Sequence, residues 1–189
     1  MSASGTVSVL TPATAFAHDA FGDLGPFYGS MLHPLADPLQ AAILIGTAAF
    51  LAGRSLTVVR SALPVFLLAT TLANVALSAG QLVSPPTWLA GLAAVLAGLA
   101  ATLPERLSPR PAVYALVAVT GALTGLASGA SDTGPAIQPL LGSIFGISIL
   151  AMLAWFAMEA ASRRLTRLVP KVVGSWVAAV GILVVAFSV

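Results

Sequence analysis

The chain has 189 residues, of which 58% belong to the AVILMFWYC set and only 7% are charged. Soluble domains run about 45–50% apolar, glycine included, and about 25% charged, so a water-soluble globule is excluded, and the length suits a single domain. Eight Lys/Arg against six Asp/Glu leave a net charge of +2, too little to imply nucleic acid, and the lack of cysteine removes disulfides, thiolate metal sites, iron–sulfur clusters and thiol nucleophiles together.

The chain divides into an N-terminal tail, 1–37, and a membrane domain, 38–189. Ala15-Phe16-Ala17 before His18 has the small-x-small pattern of a signal-peptidase site. Met1 to Ala17, however, has no basic start and only a broken apolar run, and the expectation is an uncleaved, translocated tail. Leu24 to Leu35, with Pro26, Phe27, Tyr28 and Met31, reads as an interfacial or partly inserted segment, its aromatics at headgroup level. Asp37 before Pro38 has the form of a helix N-cap followed by proline at the first helical position. His33, close in sequence to His18, Asp19 and Asp23, adds imidazole to carboxylates. That combination suits a divalent transition metal; the plainer reading is a local hydrogen-bonding group.

A bilayer core of about 30 Å needs about 20 apolar residues per helix, and each such run must be helical because lipid cannot satisfy backbone N–H and C=O groups. Cutting at charges and prolines yields an all-α polytopic protein of six spans: Pro38–Gly53, Ala62–Gln81, Pro86–Leu103, Pro111–Ala130, Ala136–Glu159 and Val169–Val189. Arg54 and Arg60 fall between the first two, Arg106 and Arg110 between the third and fourth, and Arg163, Arg164, Arg167 and Lys171 between the fifth and sixth. By the positive-inside rule these connections face the cytoplasm, which places both termini outside a bacterial inner membrane. Asp19, Asp23, Asp37 and Asp132 then give the outer face an acidic cast.

Within the spans, Gly121, Gly125 and Gly129 recur every four residues in the fourth, and Gly142 and Gly146 in the fifth. Such stripes let helices approach closely. The polar groups inside the spans are Thr70, Thr71, Asn74, Thr120, Thr124, Ser143 and Ser148, residues that line a path or bond across helices. No span carries a charge at its centre, where proton pumps and voltage sensors place one. Glu159 ends the fifth span four residues before Arg163, an ion-pair spacing, and Lys171 stands at the mouth of the last span, wrong for a retinal lysine.

The order of these features resembles the HupE/UreJ family, small membrane proteins associated with hydrogenase and urease genes and regarded as nickel or cobalt permeases. The resemblance covers nearly the whole chain: Ala17-His18, then Tyr28, Gly29, His33, Pro34 and Leu35, six spans, a glycine-rich fourth span, and a last span with Gly174, Ala178, Ala179 and Gly181. It implies a metal site built on His-Pro-x-x-Gly-x-Asp-His in the first span and His-Gly-x-Ala-His-Gly plus an acid in the fourth. His33 and Pro34 match, but the glycine, aspartate and second histidine positions hold Asp37, Leu39 and Gln40. Gly125, Ala127 and Gly129 match, while the two histidine positions hold Thr124 and Ser128 and the acid is displaced to Asp132. Hydroxyls are weak ligands for a borderline metal.

Two readings follow. One is a permease for a divalent cation, nickel or cobalt, or another small solute, with His18, His33, Asp37 and Asp132 as metal candidates at the outer mouth and Asn74, Thr124, Gly125, Ser128 and Gly129 along the pathway or packing it. The other is a non-transporting accessory subunit that reuses the scaffold and packs against membrane-protein partners in a larger complex; a lone chain or homo-oligomer belongs to the permease reading. No nucleophile with a base, no intramembrane carboxylate pair and no phosphate loop points to an enzyme.

Overall fold

The computed structural model describes residues 24–128 and 137–188, and every regular element among them is helical. In chain order these are α1 (Gly25–Ala36), α2 (Pro38–Ala52), α3 (Leu56–Ser78), α4 (Thr87–Thr102), α5 (Arg110–Leu126), α6 (Ile137–Arg164) and α7 (Val169–Ser188), with one 3₁₀ turn at Glu105–Leu107. The tail up to Asp23, including His18, and the segment holding Gly129 and Asp132 lie outside the described residues.

Asp37 is the N-cap that its sequence context predicts. Its Oδ1 accepts from the N–H groups of Leu39, at 2.9 Å, and Gln40, at 3.2 Å, and Pro38 follows as the first residue of α2. The cap also sets a corner, because α1 ends here and the two helix axes diverge by 70°. The segment expected to be interfacial is thus a helix in its own right, and it is seated on α6.

By length and apolar content α3, α6 and α7 each suffice to cross a bilayer, and the bent pair α1–α2 makes a fourth span if counted as one. With 16 and 17 residues, α4 and α5 reach about 24–26 Å. They fall short of the full apolar thickness expected of each span, so six full-length crossings are not what the helix lengths alone display. Helix ends also move relative to the charge-based cuts. Already helical at Leu56, α3 takes in Arg60, and α6 continues to Arg164, while α7 begins at Val169 as the expected sixth span does. Long basic side chains let their stems lie along apolar surface while the heads reach water, so a charge need not end a helix.

Three helix pairs form the frame, and each is held by glycines. A Cβ on Gly142 or Gly146 of α6 would collide with the carbonyl oxygens of Phe27 and Met31 in α1; on Gly121 or Gly125 of α5 it would meet those of Phe66 and Thr70 in α3; on Gly98 or Gly174 it would strike across the α4–α7 contact. The first two pairs run parallel and the third antiparallel. Gly121, Gly125, Gly142 and Gly146 therefore serve close backbone packing, not an opening beside the helix.

In the middle stands α2, with ten of its fifteen residues buried. Gly46 meets Val177 and Ala97, Leu44, Phe50 and Leu51 join Val59, Phe66, Val117, Ile147 and Ala151 in one core cluster, and Ile43 packs with Ala94, Leu123 and Val177 in another. These contacts bring the connections rich in arginine to one end of the bundle. There Arg54, itself buried, donates to the carbonyls of Leu103 (3.3 Å) and Ala100 (3.2 Å) and to Ser108 Oγ (3.0 Å), closing the C-terminus of α4. Its guanidinium lies 4.4 Å from the centre of the Phe50 ring. Beside it, Glu105 accepts from the Ser55 N–H at 2.9 Å, tying the start of α3 to the α4–α5 connection. The expected Glu159–Arg163 pair forms at 2.8 Å but is exposed and contributes little.

Gly146→Ala should cost about 1–3 kcal/mol by overpacking against backbone, read as a lowered melting temperature in detergent. In Gly53→Ala, where the nearest atom is 3.6 Å away, stability should be nearly unchanged. At the other end, the Ser55 N–H holds the Glu105 carboxyl below its ordinary value of 4.5. A depressed folded-state pKa gives stability that is complete above the unfolded value and lost as pH falls through the folded one. Melting curves taken from neutral to acid pH should therefore show wild type converging on Glu105→Gln as this carboxylate protonates.

Candidate functional site

At the end of the bundle opposite the arginines, the first turn of α2 meets the last turn of α5, and the far part of α3 meets the end of α5 and the start of α6. Gln40 is fully buried there, and its Nε2 donates to the Thr124 carbonyl at 2.8 Å. Asn74 is fully buried too. Its Nδ2 donates to Ser143 Oγ at 2.7 Å, and its Oδ1 accepts from Ser128 Oγ at 3.0 Å, so one side chain on α3 joins α6 to the end of α5. Below them Thr70 Oγ1 donates to the Gly121 carbonyl at 2.9 Å, a bond that the glycine contact between α3 and α5 makes possible.

The network is neutral: amides and hydroxyls, with no ionisable member. Thr124 and Thr120 turn their hydroxyls back onto carbonyls of their own helix, at 2.7 Å to Thr120 and 3.3 Å to Val117, as threonine does inside helices. Ser148 does the same to Ile144. Of the polar residues expected to line a path or cross-link helices, Asn74, Thr70, Ser128 and Ser143 cross-link, while Thr120, Thr124 and Ser148 bond within their own helices. Gly125 packs on the Thr70 backbone.

The positions that the resemblance marks as metal ligands do converge here, since Gln40 bonds to Thr124 and Ser128 follows one turn later. Their chemistry has changed. Amide and hydroxyl oxygens are hard, uncharged donors that do not select nickel or cobalt. Of the metal candidates at the outer mouth, His33 is half-buried in the last turn of α1, where its backbone carbonyl accepts from the Asp37 N–H at 3.0 Å. The Asp37 carboxylate is engaged as the cap of α2, and His18 and Asp132 lie outside the described residues. Among the described residues no group of three or more His, Cys, Asp or Glu is placed to hold a metal ion.

Sequence reasoning reached Gln40 only as a departure from a pattern, used Arg54 only as a marker of orientation, and passed over Thr47. All three are polar residues buried on or just beyond α2. The signal was present as a polar residue every seven positions through an otherwise apolar helix. A family model described as HupE / UreJ protein matches residues 6–184. No curated protein and no solved structure matches the chain.

Because Asn74 carries both bridges, Asn74→Ala should lower stability by about 1–3 kcal/mol, leaving two buried hydroxyls without their partner. Removing Ser128 should then cost much less in that background than in wild type. Equilibrium unfolding of the double-mutant cycle in detergent micelles checks both.

Proposed function

The chain belongs to the HupE/UreJ family, and on that premise we propose that it is a permease of that type for a small solute, with the polar network at the head of α2 as its outer binding site. In this reading the bundle crosses the membrane six times, α4 and α5 being short crossings that thin the bilayer locally. The bent α1 leads into α2 as a partly inserted segment. The arginine-bearing end faces the cytoplasm, as the positive-inside rule requires, so the network opens toward the outside.

The observation that carries the reading is Gln40. Its Oε1 is buried, and among the described residues no donor reaches it. A buried acceptor without a donor is costly in a low-dielectric interior, and this one lies beside the last turn of α5, just past the break between α1 and α2. Transporter sites are built at such breaks because interrupted helices leave groups free for a passing molecule. The oxygen-only, uncharged donor set favours a hydrogen-bonding solute as cargo over nickel or cobalt. A metal cargo would depend on His33 with His18, Asp37 and Asp132.

A second reading, a non-transporting subunit of a larger membrane assembly, draws support from Asn74, whose bonding capacity is used in gluing helices. Native mass spectrometry of the protein gently extracted from its own membrane, with metal analysis of the same sample, separates these. The permease should be released alone or as a homo-oligomer without stoichiometric transition metal. A stable hetero-assembly would establish the subunit reading, and stoichiometric nickel or cobalt lost in His33→Ala would establish a metal cargo.

A further inference from the structure

Four buried side-chain polar atoms lack a hydrogen-bond partner among the described residues: Gln40 Oε1, Thr47 Oγ1, Arg54 Nε and Trp155 Nε1. Three of the four belong to α2 and its continuation, seven residues apart. Seven residues are two helical turns less about 20°. Gln40 and Thr47 therefore share one face of α2, separated by about 10 Å along the axis, and Arg54 continues the interval just past the helix end. Unsatisfied buried groups are rare and call for an occupant such as water or a ligand. Three recur at a seven-residue interval, a line of positions along the central helix and the turn that follows it.

The chemistry along this line is ordered. Gln40 Nε2 is fixed by the Thr124 carbonyl, so the atom left over must be the acceptor. Thr47 offers a hydroxyl that donates or accepts. It lines a cavity of about 10 Å³, otherwise walled by Leu44, Ala48, Leu51, Leu63, Phe66 and Ala151, the size of a single water. One hydroxyl among apolar walls would hold a small molecule briefly, not keep it. Arg54 offers a donor, and its remaining nitrogens are anchored to the end of α4. That anchor fixes a positive charge at the inner mouth, and a fixed arginine in a narrow path raises an electrostatic barrier to cations. Glu105, the acid nearest it, is exposed and engaged with Ser55.

We propose that the face of α2 bearing Gln40 and Thr47, continued by Arg54 beyond the helix end, is the permeation path, and that it admits small uncharged molecules that both donate and accept hydrogen bonds, water or a small amide, while Arg54 excludes cations. The inference rests on the permease reading and specifies its cargo. Leu44 and Leu51, between the polar steps, are the apolar constrictions that close the path in the state seen here, a dry gate that opens by wetting.

The test uses the full chain in lipid. Hydroxyl-radical labelling from radiolysed water in nanodiscs should mark Leu44, Leu51 and Phe66 despite their burial, and Thr47→Val should reduce the marking severalfold. In proteoliposomes, stopped-flow light scattering should show water or acetamide permeability at least fivefold above protein-free vesicles. It should fall to near background in Gln40→Leu and Thr47→Val and return in Thr47→Ser. Flux of water alone or of acetamide as well distinguishes the two cargoes within the proposal. Ni²⁺ entry, read by an enclosed dye, should stay at background in wild type and in Arg54→Lys and rise in Arg54→Gln. Ni²⁺ entry without neutral flux would overturn this inference and leave the permease reading standing. Neutral flux indifferent to Gln40 and Thr47, or no labelling along the face, would overturn the path. No flux of any probe would overturn the permease reading itself.

Discussion

In a bilayer, apolar surface gains nothing by leaving lipid for another helix, so association rests on how closely backbones can approach. Everything else in this bundle depends on that approach. The pairs α1–α6, α3–α5 and α4–α7 each rest on glycines whose missing side chains leave room for a neighbour's backbone, and α2 fills the space between the pairs. The frame sets the polar groups too. Thr70 reaches the Gly121 carbonyl, and Asn74 reaches both Ser128 and Ser143, because the backbones already lie close.

The site is accordingly made of short side chains at helix contacts, not of long ligands projecting into a cavity. Gln40 is the exception, reaching from α2 to the α5 backbone while its carbonyl oxygen stays unmatched. At the other end Arg54 reaches to α4 in the same way. The central helix is thus pinned at both ends by its longest polar side chains, one neutral and one charged. Between them its interior face is apolar except at Thr47.

Much of this was legible in the sequence, and the parts that were not have physical causes. The Asp37-Pro38 start of α2 is local chemistry and can be read from adjacent residues. The glycine stripes on α5 and α6 announce close packing, although their partners, α3 and the short α1, could not be named from spacing alone. Charge marked the basic connections but misplaced helix ends, because Arg60 and Arg164 are tolerated within helices, their polar heads reaching water. The convergence of Gln40, Thr124 and Ser128 was legible only through the family pattern, since hydroxyls and amides carry no spacing signature of their own. The burial of Arg54 was invisible because its acceptors, Ala100, Leu103 and Ser108, lie some fifty positions away along the chain.

The position of α7 bears on how such a chain is made. The last helix supplies Val177 against Gly46 of α2, and Gly174, Ala178 and Gly181 against Gly98 and Gly91 of α4. During synthesis, then, the helix at the centre of the finished protein is among the first to leave the ribosome and among the last to be enclosed. Until residues 169–188 arrive, α2 and α4 must keep their small-residue faces against lipid or against the insertion machinery, so this part of the bundle closes only once α7 is made. A chain released early would have seven of its eight basic residues in place, yet it would present an open groove of glycine and alanine to the membrane's quality-control proteases.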